Sequence, residues 1–403
     1  MTQLQPPAAG RRAGFGFAPG ALSRGTLIRL GVLALIVLAG VYFAVWPSPR
    51  WHRAQSLGVA LAAALYLAAL FRGRLRDVFA IVTSLVFSLF AIEIYIILTD
   101  VPRTLDVTTS HTVSRPILGW GPAQPGVFHH TKVEAKTGRV VFDVDYTIDA
   151  HLHRQVISAA EPPTIVFAGG SDTFGEGLSD ADTLPQQFAD ATGRRFHVVN
   201  LAYPGYGPQQ FLRGLETGLF DDVVSQPRLF VIQVTPWQLV RTSCLEDQVG
   251  RAPRYELENG QPTLHGTCEE GWPFVFRALS QVSSIYRSFI SRAMQGANPE
   301  RIDLFVAILA RAGDITRSKY GAQTLIVYEP NGAYLRPAGY TDAQLMQRLR
   351  DAGLAVVDGG LDPAAFPGEN LEIVGEGHPS AVANRAWAAL VRDYLAGSPA
   401  QSH

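Results

Sequence analysis

Residues 164–177 read T-I-V-F-A-G-G-S-D-T-F-G-E-G, and the fold follows from how that stretch is taken. Thr164 to Ala168 is an apolar run rich in β-branched and aromatic residues, introduced by Pro162-Pro163. Such a run reads as a strand buried on both faces of a parallel sheet. It stops at Gly169-Gly170; Ser171 follows, then a polar turn with Gly175 and Gly177. Open α/β sheets bind ligands beyond the carboxyl ends of their strands. A serine there offers a hydroxyl, and a helix starting there offers unpaired N–H groups to a developing oxyanion. The same residues also suit a plain strand-to-helix turn with a serine cap. What favours chemistry lies some two hundred residues on, at Glu376-Gly377-His378-Pro379.

From residue 164 onward, apolar strands alternate with helical stretches, the pattern of a parallel sheet covered on both faces. The expected strands are Ile165–Ala168, His197–Leu201, Leu229–Val234, Thr324–Tyr328 and Ala355–Asp358. The expected helices are Thr183–Thr192, Pro208–Phe220, Gln281–Met294, Arg301–Tyr320, Thr341–Ala352 and Ser380–Ala396. Arg241–Trp272 fits neither period and reads as a long loop carrying both cysteines, suited to substrate recognition or a lid.

The remainder divides by composition. Residues 1–26 are Pro/Gly/Ala-rich with Arg11, Arg12 and Arg24, and read as a disordered basic tail. Arg11-Arg12 resembles part of an export signal, but the apolar run after it is too long and no small-residue cleavage site follows. Residues 27–99 hold three apolar segments, Leu30–Trp46, Ala54–Phe71 and Val78–Leu98, each of a length to cross a hydrocarbon slab of about 30 Å. Tyr42, Trp46, Trp51 and Tyr95 suit interfacial anchors. Arg11, Arg12, Arg24 and Arg29 precede the first span, and Arg72, Arg74 and Arg76 separate the second from the third. The first gap holds only Arg50 and Arg53, so the positive-inside rule puts the tail in the cytoplasm and everything after Thr99 outside. Glu93, within the third span, is expected near its outer end, reaching water. An exported Cys244–Cys268 pair is free to form a disulfide.

Residues 100–160 read as a connector with one strand or hairpin arm at Gly138–Thr147. His129-His130 and His151-x-His153 lack the further ligands a metal requires, and read as surface histidines. With 34 Lys+Arg against 35 Asp+Glu there is no bulk charge to bind nucleic acid. No metal-binding Cys/His spacing occurs, and no cofactor is expected.

Four ordered blocks between about 164 and 396 resemble the SGNH/GDSL esterase and acyltransferase superfamily. The first, Gly169–Gly177, is similar to that family's G-D-S-x-T-x-G, with Gly170 in place of the aspartate. The second is Asn200-Leu201-Ala202-Tyr203-Pro204-Gly205-Tyr206-Gly207. The third departs: the family's Gly-x-Asn-Asp is replaced by Gln233-Val234-Thr235-Pro236-Trp237-Gln238. The fourth is Glu376-Gly377-His378-Pro379, with Glu376 replacing the family's aspartate.

The resemblance implies a flavodoxin-like three-layer α/β/α hydrolase domain over 161–397, with parallel sheet. It makes Ser171 the nucleophile, His378 the general base and Glu376 its acid, Asp358 and Asp362 being alternative acids. Ser171 and Gly205 would give N–H groups to the oxyanion hole, and Gln238, Thr235 or Asn331 would supply the missing third donor. The three spans fall outside the resemblance; with the arginine distribution they make the expected protein a multi-pass one of the bacterial inner membrane, contacting lipid, with its catalytic domain in the periplasm. The substrate would be an O-acyl, chiefly acetyl, ester, an acylated cell-surface polysaccharide among the candidates. The same site would serve an O-acyltransferase, and the altered blocks also permit an inactive binding or assembly module.

Overall fold

The computed structural model describes residues 23–46, 51–100, 102–108, 111–246 and 249–397. Most of the expected basic tail, Arg11-Arg12 included, lies outside the described residues. The chain forms two compact units that divide after Ile97.

The first unit is built from helices Arg24–Val45, His52–Leu70 and Arg74–Thr99. All three are long and apolar enough to cross a membrane. Leu27, Leu35, Val37, Leu38, Ile81 and Leu85 leave half or more of their surface bare, which water would penalise and lipid would not. Glu93 corrects the expectation: it is 1% exposed and does not reach water at the helix end. A carboxyl buried in an apolar helix needs a partner to offset its desolvation.

The second unit is organised on a parallel sheet. Its strands are β6 (Thr164–Ala168), β7 (His197–Asn200), β8 (Pro227–Val234), β11 (Gln323–Tyr328) and β12 (Ala355–Asp358), in the order β12-β11-β8-β6-β7. Counted along the chain this is the order 2-1-3-4-5, the doubly wound arrangement whose switch point lies between β6 and β8. Alternate residues feed opposite cores. Val166, Phe230 and Ile326 pack on helices Pro208–Thr217, Pro299–Tyr320 and Asp342–Asp351. Ile165, Phe167, Val231 and Val327 pack on helices Leu184–Ala191 and Ala381–Leu395. Thr183, Asn298, Thr341 and Ser380 cap four of these helices through side-chain oxygens.

Two regions depart from expectation. The connector holds five short strands: β1 (Thr104–Asp106), β2 (Thr112–Arg115), β3 (Gly119–Pro122), β4 (Gly126–Glu134) and β5 (Val140–Ile148). β1, β4 and β5 form an antiparallel sheet, and β2 pairs with β3. Tyr146 and Ile148 of β5 are buried against Phe174, Ala202, Tyr203 and Tyr206, so this layer packs on the loops after β6 and β7. The second departure is the expected long loop. It contains a hairpin of β9 (Pro253–Glu258) and β10 (Gln261–Thr267), followed by helix Gly271–Val282. The helix expected over Gln281–Met294 is broken because Ser283 is extended, its hydroxyl accepting from the Tyr286 N–H. Helical turns resume at Tyr286–Ser291 and Arg292–Met294.

Cys244 and Cys268 form a disulfide with Cα atoms 5.3 Å apart. The Arg277 guanidinium donates to the carbonyls of both cysteines, at 2.8 and 2.5 Å. Closing a loop across 24 positions restricts the unfolded chain by about 3 kcal/mol. Reduction of the detergent-solubilised chain is therefore expected to lower its unfolding midpoint, and Cys244→Ser to abolish that sensitivity to reductant.

Candidate active site

β6 ends at Ala168, and Ser171 opens the short helix Ser171–Phe174. Its carbonyl accepts from the N–H groups of Gly175 and Glu176, at 2.9 and 3.0 Å, which folds the chain back on itself. A buried guanidinium holds the turn from below. Arg154 donates to the carbonyls of Phe174 (3.0 Å), Gly175 (2.7 Å) and Leu178 (2.6 Å) and pairs with Asp180 at 3.0 Å. It also lies over the rings of Tyr146 and Phe174. The Gly177 N–H donates to the Tyr146 hydroxyl at 2.8 Å. The turn carrying Ser171 is thereby braced by the appended sheet.

His378 and Glu376 lie in the loop before helix Ala381–Leu395. Gly377, at φ +99°, separates them and takes a conformation that other residues rarely adopt. The reversal brings the His378 Nδ1 within 2.6 Å of both Glu376 carboxylate oxygens. The His378 backbone N–H also donates to Glu376, at 2.9 Å. With Nδ1–H donating, the Nε2 of a neutral ring keeps its lone pair and is the basic atom. Of the alternative acids, Asp358 accepts from the Gly360 N–H and Asp362 caps Ala364. The His378 ring is thus oriented by Glu376 and by neither aspartate.

Electrostatics reinforce the pair. Burial raises the Glu376 pKa, but the hydrogen bond and charge of His378, with Lys132, outweigh it and bring it down to about 2. Burial lowers the His378 pKa, but Glu376, Glu176 and Asp172 outweigh it and leave it raised. Nε2 faces Glu176 Oε2 at 3.7 Å. Lys132, from β4, contacts Glu376 at 2.9 Å and Glu176 at 3.6 Å. One ring nitrogen of His378 and one carboxylate oxygen from each of Glu176 and Glu376 lie within 4.8 Å of one another. The Lys132 ammonium already supplies positive charge to both carboxylates there.

Among the described residues the Ser171 hydroxyl makes no hydrogen bond, so Ser171 and His378 share an end of the sheet without touching. They are joined indirectly: the Glu176 N–H donates to the Ser171 carbonyl, and the Glu176 carboxylate faces His378. Catalytic hydrogen bonds are often long or absent without substrate and close in the complex.

The expected oxyanion donors follow three different strands of the sheet. Among the described residues the N–H groups of Ser171 and Gly205 have no hydrogen-bond partner. Gly205 sits against Trp120, whose Nε1 donates to the Pro204 carbonyl at 2.9 Å. Gln238 is buried, its Nε2 3.8 Å from where a Cβ on Gly170 would lie. Thr235 and Asn331 instead line a neighbouring cleft, and Asn331 Oδ1 caps the Tyr334 N–H. That Cβ would also lie 2.8 Å from Arg241 Nη1 and 2.9 Å from the Tyr206 carbonyl. Arg241 reaches into that space, donating to Tyr206 O at 2.8 Å and to Glu246 at 2.6 Å.

The cleft, of about 1620 Å³, reaches Asp172 and Glu376 and is also lined by Thr235, Trp237, Glu329 and Asn331. Ser171, His378, Gly205 and Gln238 do not line it. Burial pushes the carboxyls of Asp172 and Glu329 upward, and mutual repulsion adds to this at Glu329. Lys132, Arg154, Glu176, Arg241 and Glu329 were not among the expected site residues. Only Glu176 stood inside a recognised block.

The histidine groupings hold no metal geometry among the described residues. His129 is exposed between Asp143 and Asp145, whereas His130 is not a surface residue: it is half-buried between Asp106 and Tyr146. His153 Nδ1 is sealed from solvent, which also departs from expectation.

Replacing Gly170 with Ala is expected to destabilise the domain by about 1–3 kcal/mol through overpacking, because the Tyr206 carbonyl is backbone and cannot step aside. Chemical denaturation monitored by circular dichroism checks this.

No family model and no curated protein matches the chain. Solved structures that match are hydrolases of the GDSL and SGNH kind. A lipolytic protein of the G-D-S-L family from Veillonella parvula is 15% identical, with 57% of this chain and 96% of that one covered, at a TM-score of 0.34. TesA is 15% identical over 58% of this chain and 98% of its own, also at 0.34. A carbohydrate acetylesterase family member from Sinorhizobium meliloti is 17% identical over 58% and 99%, at 0.28. Superpositions of this quality decide nothing alone; the doubly wound fold stands on the strand order and register of this chain.

Proposed function

We propose that residues 161–397 form a serine esterase of the SGNH/GDSL kind. The observation that carries the reading is the 2.6 Å contact between His378 Nδ1 and Glu376, linked through Glu176 to the serine turn that follows β6. His378 Nε2 takes the Ser171 proton as Oγ attacks the ester carbonyl. The N–H groups of Ser171 and Gly205, with the Gln238 amide, receive the negative charge that develops on the carbonyl oxygen. Collapse of the tetrahedral adduct breaks the ester C–O bond, and His378 returns the proton to the leaving alkoxide. Water, activated by the same ring, then attacks the acyl-serine and restores the enzyme.

The membrane disposition belongs to the same proposal. The arginine distribution favours an extracytoplasmic domain tethered to the bacterial inner membrane by three spans. The Cys244–Cys268 disulfide supports an oxidising compartment. There the substrate would be an O-acetyl ester of a surface polysaccharide, with the polar cleft holding the sugar. An acyltransferase would use the same acyl-serine, with a glycan hydroxyl in place of water.

A second reading, a non-catalytic binding module, is favoured by the unclosed Ser171–His378 pair. A serine-reactive fluorophosphonate separates the two. Labelling that is lost in Ser171→Ala supports the esterase; no labelling of the wild-type chain supports the module.

Ser171→Ala is expected to reduce p-nitrophenyl acetate hydrolysis by at least about 10³-fold. The pH profile follows from the His378 shift. A folded pKa raised above the usual 6.5 means this group contributes stability below that value, lost as pH rises through the raised one. Catalysis has the opposite sign, since only the neutral ring accepts a proton. Hydrolysis is therefore expected to rise with pH through a midpoint above 6.5, which a rate profile from pH 5 to 9 reads directly.

A further inference from the structure

We infer that Lys132 and Glu176 form a charge clamp on the catalytic pair, with Lys132 a positioning residue delivered by the appended sheet. The role assigned to it rests on the esterase reading; the clamp itself rests on geometry. Lys132 Nζ is 2.9 Å from Glu376 Oε1, 3.6 Å from Glu176 Oε1 and 3.7 Å from Asp106. Its side chain is 11% exposed and runs beside the Phe142 ring. Glu376 is 5% exposed and Glu176 17%. Two carboxylates this close and this dry would repel each other strongly, and the ammonium between them removes that repulsion. Lys132 thereby fixes Glu376 under Nδ1 and Glu176 opposite Nε2.

The clamp works on the ring in two opposed ways. Glu176 stabilises the imidazolium that forms when Ser171 loses its proton. The same attraction keeps a proton on the resting ring, where it blocks general-base action. Lys132 tempers this by withdrawing part of the negative charge that the ring senses. Every charged neighbour can be named. Glu376 shares the His378 loop. Glu176 and Asp172 follow β6, with Arg241 acting on Asp172 from beyond β8. Lys132 comes from β4 with Asp106 of β1 and His130 behind it, and the Tyr146 phenol of β5 closes the group.

The prediction is a pair of opposite shifts. In the full chain in detergent micelles, the His378 ring is followed by NMR with histidine labelling, assigned by loss of its signal in His378→Gln. Lys132→Met is expected to raise the His378 titration midpoint by about one pH unit, and Glu176→Gln to lower it by a similar amount. Lys132→Arg keeps the cation and is expected to restore the wild-type midpoint to within about 0.3 units. The acid limb of p-nitrophenyl acetate hydrolysis should move with each midpoint. A merely structural lysine would cost stability in Lys132→Met without this opposition of sign. The clamp is overturned if both substitutions shift the midpoint the same way, or if neither moves it. If Lys132→Met fails to fold, the Glu176→Gln shift carries the test: a fall supports the clamp, and no shift or a rise overturns it. Opposite shifts in a chain without Ser171-dependent hydrolysis would sink the esterase and leave the clamp standing. Unmoved midpoints in an active chain would do the reverse.

Discussion

A strand buried on both faces can carry polar chemistry only at its end. β6 is such a strand: Thr164 to Ala168 are all buried, and β7 and β8 pair with it on either side. Its neighbours in the sheet lead their chains away in opposite directions, which opens the one place where side chains from several loops can meet. Ser171 follows the end of β6, Gly205 follows β7, and Gln238 and Arg241 follow β8. Glu329 follows β11. The candidate site follows from the strand order, its contributors arriving on the segments after β6, β7, β8 and β11.

What the parallel sheet does not provide, the appended β-layer does. It braces the serine turn through Tyr146 and, just beyond β5, through the fully buried Arg154. It also inserts Lys132 between the two glutamates. A guanidinium sealed from water is costly unless its donors are satisfied, and Arg154 directs them to three carbonyls and Asp180. That network is demanding only if the turn's shape matters. An ordinary strand-to-helix connection would not need a buried cation, so the investment in Arg154 agrees with a functional serine.

The sheet was legible because its strands are apolar on both faces, and such runs stand out against any background. Five of the six expected helices were legible as the stretches that alternate with those strands, within a few residues of their observed ends. Glu376-Gly377-His378 was legible because the interaction is local, two residues apart. The appended layer was not. β4 reads G-V-F-H-H-T-K-V-E, with no clean alternation, since it packs on loops and its sides are unequally covered. Lys132 lies 244 positions from Glu376, and no local pattern reports a contact at that separation. The hairpin β9-β10 was missed for a related reason: its strands are largely polar, and the disulfide does part of the work of a core. Glu93 was misread because position along a span does not reveal which face meets a neighbour.

Two departures from the SGNH pattern looked independent in the sequence and are not. The aspartate before the serine is Gly170, and the asparagine of the third block is absent from Thr235-Pro236-Trp237-Gln238. Arg241, one helical turn after that block, connects them. Its guanidinium lies over the Trp237 ring, 4.1 Å from the centroid, and reaches the Tyr206 carbonyl of the second block. In doing so it fills the space that a side chain at 170 would need. A side chain at 170 would meet the Tyr206 carbonyl that Arg241 holds in place, and the loop carrying Gly205 gains a charged donor. The buried Gln238 amide then stands over the same glycine. The altered first and third blocks therefore meet at one guanidinium on the rim of the candidate site.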